Sequence, residues 1–215
     1  APVTPEQRAE LGSIPYDVAA HDASIGIASS GRGTADFLER LWLRPTLDLN
    51  GLWGGYTGAG GKTVIPAEAH AKISMRLVPG QVPAKVVAAL TAHLRAHCPQ
   101  GATLDVRATR DGTIATFLDG AHPLLRAAEH ALETTTGRVP LRVRMGATLP
   151  LADIVSRVLG LGTVMFSFAT ADEDFHASNE NWRESALPEG FAAWVALLRR
   201  LEGSSRAAFA PFRHA

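Results

Sequence analysis

Between Glu68 and Val78 the side chains alternate without a break. Ala69, Ala71, Ile73, Met75 and Leu77 share one side, and Lys72, Ser74 and Arg76 share the other. A period of two marks a strand with one face buried and one wet, so the rest of the fold must supply a cover for the apolar face. The following segment has the means. Over residues 82–98, Val86, Val87, Leu90, Leu94 and Cys98 recur at the helical period. Pro83 suits the first turn, where no amide hydrogen is required, and Pro99 ends the helix. Residues 43–53 read as a second strand, and Leu104, Val106 and Ala108 alternate as a third. Such a β-β-α-β series specifies a small antiparallel sheet with helix on one face.

The segments on either side differ from this centre. Residues 1–40 show little periodicity: Pro5–Leu11 reads as a short helix and 28–34 as a Gly/Ser-rich loop. Beyond Gly120 the pattern is a helix from Pro123 to Thr136 stopped at Gly137, a strand at 139–145, a helix from Pro150 to Leu159 and an apolar strand at 163–168. Strand, crossover helix and strand make a βαβ unit, which implies a parallel sheet. A last helix, Pro188–Leu201, is expected to bury Phe191, Trp194, Val195, Leu198 and Leu201. The fold class is therefore α/β, with an α+β part over residues 1–115, a βαβ part over 116–202, and a tail at 203–215 that is expected to fray.

Composition removes several classes of function. With 21 basic and 21 acidic residues, nothing favours nucleic acid or an anionic membrane. One cysteine, Cys98, excludes an intramolecular disulfide and any Cys-Cys metal motif. No apolar run approaches the ~20 residues that span a bilayer, and no charged-then-apolar leader is present, so the cytoplasm is the expected location.

Four stretches carry chemistry. Six glycines lie between Gly51 and Gly61, followed by Lys62 and Thr63. A phosphate loop needs glycine where Tyr56 stands and a helix where Val64 and Ile65 continue as strand, so the segment does not fit a phosphate loop. What remains is a flexible connection, or a backbone that approaches a ligand closely with Thr63 as donor. Arg76, on the wet face of its strand, is either solvated or placed to grip a carboxylate with two hydrogen bonds. Met145-Gly-Ala-Thr-Leu-Pro150 leads into a helix; Thr148 is either a simple N-cap or, with the free amides around Gly146, part of an anion site. The 169–180 loop, containing Asp172-Glu-Asp-Phe-His-Ala-Ser-Asn-Glu180, is expected to leave the same sheet edge, where α/β proteins bind ligands. His176 there is a candidate metal ligand, with Asn179 and Glu180 as supporting partners. The acids 172–174 either assist or are simply solvated.

Together these stretches resemble the family of zinc-dependent dipeptidases related to carnosinase, glutamate carboxypeptidase and the aminoacylases. The resemblance rests on Arg44-Pro-Thr-Leu-Asp-Leu-Asn-Gly-Leu-Trp-Gly-Gly-Tyr-Thr-Gly58, Lys62-Thr-Val-Ile-Pro-Ala-Glu-Ala69, Met75-Arg-Leu-Val-Pro-Gly-Gln81, Gly146-Ala-Thr-Leu-Pro150 and His176-Ala-Ser-Asn-Glu180. It implies that His176 binds one zinc of a two-metal pair. Arg76 and Thr148 would hold the substrate's C-terminal carboxylate, with Gly146 in the anion loop and Thr63 near the scissile group. The substrate would be a dipeptide or an N-acyl amino acid, attacked by a metal-bound hydroxide. Residues 1–115 would be part of a lid through which the enzyme forms a homodimer, and 116–202 the C-terminal part of the catalytic domain.

This chain departs from the family pattern in two ways. Ala147 stands where a second glycine is usual. More importantly, the family's His-x-Asp and Glu-Glu motifs, which supply metal ligands and the general base, do not occur in the sequence. The expectation is a C-terminal portion of a dinuclear zinc metallopeptidase, inactive by itself. The competing expectation is a non-catalytic module for dimerisation or small-anion binding.

Overall fold

A computed structural model describes residues 2–108, 112–146 and 149–209. The chain divides into two compact units: Ala1–Ala115 with Arg144–Leu149, and Thr116–Val143 with Pro150–Ala215.

The first unit opens with three helices, α1 (Pro5–Gly12), α2 (Val18–Ser24) and α3 (Thr34–Trp42). Thr4 and Gln7 cap α1 reciprocally, and the Asp17 carboxylate accepts from the Ala20 amide at the start of α2. The sequence pattern shows only the first of these helices; α2 and α3 lie on either side of the 25–33 loop. Leu11 of α1 and Leu38 of α3 are buried. Beside them Glu39, also buried, accepts from Arg8 Nε at 2.7 Å and from Arg44. One carboxylate thus ties α1 and α3 to the residue that leads into the sheet.

Strands β1 (Thr46–Gly54) and β2 (Ala69–Arg76) pair antiparallel, from Thr46 opposite Arg76 to Gly54 opposite Ala69. The register shifts between Leu49 and Gly51. This bulge has a consequence for the faces. Leu52 comes to lie opposite Ala71, so it joins Leu47, Leu49, Ile73 and Met75 on the apolar face, while Trp53 and His70 join Lys72 and Arg76 on the polar one. The alternation seen in the sequence is therefore realised. The cover is incomplete, with Ile73 and Met75 half-buried and Leu47, Leu49 and Leu52 exposed. Helix α4 (Pro83–Ala96) follows, and its expected stripe of Val86, Val87, Leu90, Leu94 and Cys98 is the half-buried one.

The second unit holds α5 (Pro123–Thr136), α6 (Pro150–Leu159), a 3₁₀ turn at Ala171–Glu173, α7 (Ala186–Glu202) and α8 (Arg206–Phe209). Gly137 ends α5 in the left-handed conformation, φ 67°, which a residue without Cβ adopts freely. The core is made where α5 meets α7: Ala127, Ala128, Ala131 and Leu197 are buried together, with Val164, Phe166 and Leu201 against them.

Two expectations are corrected here. Helix α7 does not bury its largest side chains. Gly190, Ala193 and Leu197 face the core, whereas Phe191, Trp194 and Leu198 are exposed, Phe191 by 70%. Small residues on both helices let their backbones approach closely, and the bulky stripe is turned outward. The segments 104–108, 139–145 and 163–168 are not in a ladder, and the one sheet among the described residues is β1–β2. Alternation gives a segment the side chains of a strand, but ladder bonds require a neighbour in register. Within the described part of the tail α8 forms, and Phe209 lies 6.1 Å from the ring of buried His122.

Candidate functional site

Arg76 ends β2 on its polar face, opposite Thr46. Nη1 donates to the carbonyl oxygen of Gly146 at 3.2 Å. Asp48 shares that face, but its carboxylate already accepts from Thr46 Oγ1 at 2.9 Å. Among the described residues no carboxylate pairs with Arg76, so most of its five donors remain available to an anion. The side of the guanidinium turned to Gly146 is held and the rest is open.

Residues 144–149 are drawn to this unit by two further contacts. Arg144 lies 3.6 Å from Glu10 of α1. A Cβ at position 146 would stand 2.4 Å from the carbonyl oxygen of Leu41, at the C-terminal end of α3. That approach explains the glycine: any side chain would push the segment off α3 and its carbonyl off Arg76. Sequence reasoning placed Gly146 in an anion loop but missed its carbonyl as the anchor of the arginine, since no local pattern reports a contact between distant segments. Thr148, the other residue expected to hold a carboxylate, lies outside the described residues, as does Ala147.

Thr63 sits in the exposed loop between the strands. The turn is closed by the Val64 amide on Lys62 O at 3.0 Å, and by Tyr56 Oη on Ala59 O at 3.0 Å. Lys62 Nζ stands 5.6 Å from the centre of the Tyr56 ring. No hydrogen bond among the described residues joins Thr63 to Arg76 or Gly146. At the base of the loop is an open cavity of about 420 Å³, whose walls include Trp53, Tyr56, Lys62 and His70. The His70 ring stacks on Trp53 at 5.0 Å.

His176 belongs to the second unit. Its loop is organised by two carboxylates. Glu173 is buried, accepts from the Thr170 and Arg183 amides at 3.3 Å each, and its own carbonyl accepts from the Asn181 amide at 3.1 Å. Asp172 pairs with Arg183 and accepts from Thr170 Oγ1 at 2.6 Å. The Thr170 hydroxyl first, and then Arg183, hold the Asp172 carboxyl below its usual range. These acids build the loop and are not left over for a metal. The Thr170-x-x-Glu173 spacing, a capping box, is the sequence signal by which this could have been read. Beyond this scaffold the chain turns through Asp174 at φ 53° and His176 at φ 63°. The left-handed conformation at His176 projects an exposed imidazole from a braced loop. Among the described residues no group of three His, Cys, Asp or Glu side chains is placed to hold a metal ion, here or elsewhere.

Comparison with known proteins gives this geometry its context. Residues 8–102 match the family model of the M20 peptidase dimerisation domain. The chain is 27% identical over 218 residues to the Beta-Ala-His dipeptidase of Rattus norvegicus, covering 96% of this chain and 43% of that protein. It is 28% identical over 184 residues to the Cys-Gly metallodipeptidase DUG1 of Candida albicans, covering 84% and 38% respectively. Among solved structures, human carnosine dipeptidase 1 superimposes with a TM-score of 0.74 at 25% identity, over 94% of this chain and 43% of that one. An M20 metallo-carboxypeptidase from Sulfolobus solfataricus does so with 0.78 at 22% identity, over 93% and 45%. The chain thus spans less than half the length of the relatives it matches. The relatives it is similar to are a Beta-Ala-His dipeptidase and a Cys-Gly metallodipeptidase, in keeping with the resemblance that the motifs carry.

Proposed function

We propose that this chain is the C-terminal portion of a dinuclear zinc peptidase that hydrolyses dipeptides or N-acyl amino acids. The observation that carries the reading is Arg76, anchored on the Gly146 carbonyl and paired with no carboxylate among the described residues. A guanidinium so held suits the planar, two-point recognition of a carboxylate, the group that a dipeptide and an N-acyl amino acid share. Thr148 would complete the carboxylate site and Thr63 would donate near the scissile group. His176 would give one imidazole to the metal pair. The described residues do not fit two zinc ions by themselves, since one histidine meets none of the remaining ligand requirements. The general base would likewise lie in the rest of the enzyme. Residues 1–115 would belong to the lid that forms a homodimer, and 116–202 to the catalytic domain. The setting would be cytoplasmic.

Alone, the 215-residue chain is expected to show no peptidase activity. The test is hydrolysis of a dipeptide panel with added zinc, by the purified chain and by a protein carrying the missing motifs. Turnover by the short chain sinks the proposal of inactivity. Absence of turnover by the longer protein sinks the peptidase reading itself.

One observation favours a second reading. The matched family is a dimerisation domain, and it covers the unit that contains β1 and β2. A non-catalytic dimerisation module predicts a dimer at micromolar concentration and no effect of Arg76→Ala on any hydrolysis.

A further inference from the structure

Helix α4 closes on two histidines one turn apart, His93 and His97, both exposed. Their ring centroids are 4.2 Å apart and their planes are inclined by 34°. His97 Nδ1 lies 2.8 Å from the carbonyl oxygen of His93. A carbonyl only accepts, so Nδ1 carries the hydrogen and, in the neutral ring, Nε2 keeps the free lone pair. Metal-bound imidazoles are commonly oriented in this way, with the second nitrogen donating to a backbone carbonyl. His97 is also the C-cap, so the unsatisfied carbonyls and the negative end of the helix dipole lie beside the rings, where a cation is favoured. Arg95, two residues from each histidine, lies on the opposite side of the helix. The Cys98 thiol donates to Ala102 O at 3.6 Å.

Two nitrogens at about 2.0–2.1 Å from one ion are ~3 Å apart, a spacing that these neighbouring rings reach by side-chain rotation. We propose that His93 and His97 form a two-coordinate surface site for a divalent cation that prefers imidazole, with Cu²⁺ held more tightly than Ni²⁺ or Zn²⁺. No third His, Cys, Asp or Glu among the described residues completes a group there. The other positions are therefore taken by water, and the ion exchanges readily. Binding uses the neutral form of each imidazole, whose lone pair takes the metal.

The full chain carrying Cys98→Ser, which removes thiol chemistry with copper, provides the test. Substoichiometric CuSO₄ is added at neutral pH while the imidazole resonances of all histidines are followed by NMR. The rings of His93 and His97 are expected to broaden first and together. In His97→Ala, broadening of His93 is expected to need about tenfold or more Cu²⁺, because the second ligand no longer acts intramolecularly. Circular dichroism checks that α4 is retained, and His93→Ala gives the reciprocal measurement on His97. The proposal is overturned if other histidines broaden first, or if His93 responds to the same Cu²⁺ concentration with and without His97.

Discussion

Nη1 of Arg76 donates to the carbonyl oxygen of Gly146 across 3.2 Å, joining residues 70 positions apart. The bond does more than hold a loop. It fixes one edge of the guanidinium by a neutral acceptor, and no carboxylate among the described residues pairs with the positive charge. Arginines elsewhere in the same unit are used differently: Arg8 and Arg44 share the Glu39 carboxylate, and Arg32 and Arg40 share Asp36. Arg76 is thus oriented without being neutralised, which is the condition for binding an external anion.

Replacing Arg76 with Ala in the intact enzyme is expected to raise KM for substrates with a free C-terminal carboxylate. A charged hydrogen bond is worth about 1.5–3 kcal/mol, which corresponds to roughly ten- to a hundredfold in kcat/KM. Arg76→Lys should recover only part of this, because an ammonium lacks the two-pronged geometry. Steady-state kinetics on a dipeptide and its C-terminal amide decide the matter. Equal losses on both would remove Arg76 from the carboxylate.

Gly146→Ala tests the anchor from its other side. The new methyl would meet Leu41 O at 2.4 Å, so the segment must move, at a cost of about 1–3 kcal/mol in line with other overpacked sites. Thermal unfolding of the chain should shift downward, and KM in the intact enzyme should rise in parallel with Arg76→Ala. The double variant should be less than additive, since both changes break one contact.

The elements of this chain were more legible than their assembly. Pro123 and Gly137 bracket α5 in the sequence as they do in the structure, because caps are local chemistry. The strand at 69–76 was legible for the same reason. The face of α7 was not. Size and apolarity favour Phe191, Trp194 and Leu198 for the core, yet Ala193 and Leu197 occupy it opposite the alanines of α5. Which face wins depends on the neighbouring helix, and that is not written in the local period. The same holds for 139–145 and 163–168, whose apolar runs do not specify a partner. At the site, Arg76 and Gly146 were picked out singly, while their bond depends on how α3 and β2 are placed.

This inversion of α7 can be measured. Ala193→Leu inserts bulk at a fully buried position and should destabilise the second unit by about 1–3 kcal/mol. Phe191→Ser, at a site 70% exposed, should change stability by no more than about 0.5 kcal/mol. Urea unfolding of the two variants in this chain gives the comparison. The reverse ranking would restore the larger residues to the core.

Glu39 sets a pH dependence for the first unit. Hydrogen bonds from Arg8 and then Arg44 hold its carboxyl below the ordinary value of 4.5. The folded state therefore binds this proton less readily than the unfolded chain, and the stabilisation is complete above that ordinary value. It is lost as pH falls below 4.5 toward the lowered folded value. Asp22 and Asp36, also lowered, act in the same direction. Glu39→Gln should reduce the urea midpoint at neutral pH and flatten, without abolishing, its decline in acid. An unchanged acid limb in the variant would show that Glu39 is not the linked group.

His176 separates stability from function. A side chain at φ 63° costs roughly 1–2 kcal/mol relative to the right-handed region, and glycine avoids this strain while losing about 0.5–1 kcal/mol more backbone entropy on folding. His176→Gly should therefore stabilise the second unit slightly, by up to about 1 kcal/mol, since no hydrogen bond that braces the loop passes through the imidazole: Glu173, Asp172, Thr170 and Arg183 carry them. In the intact enzyme the same change should abolish activity and lower metal content, measured by elemental analysis after gel filtration. His176→Asn, which tolerates the left-handed conformation, should keep the fold and still lose the metal. A His176→Gly enzyme that is stabilised and remains fully active would leave His176 as a strained turn residue with no ligand role.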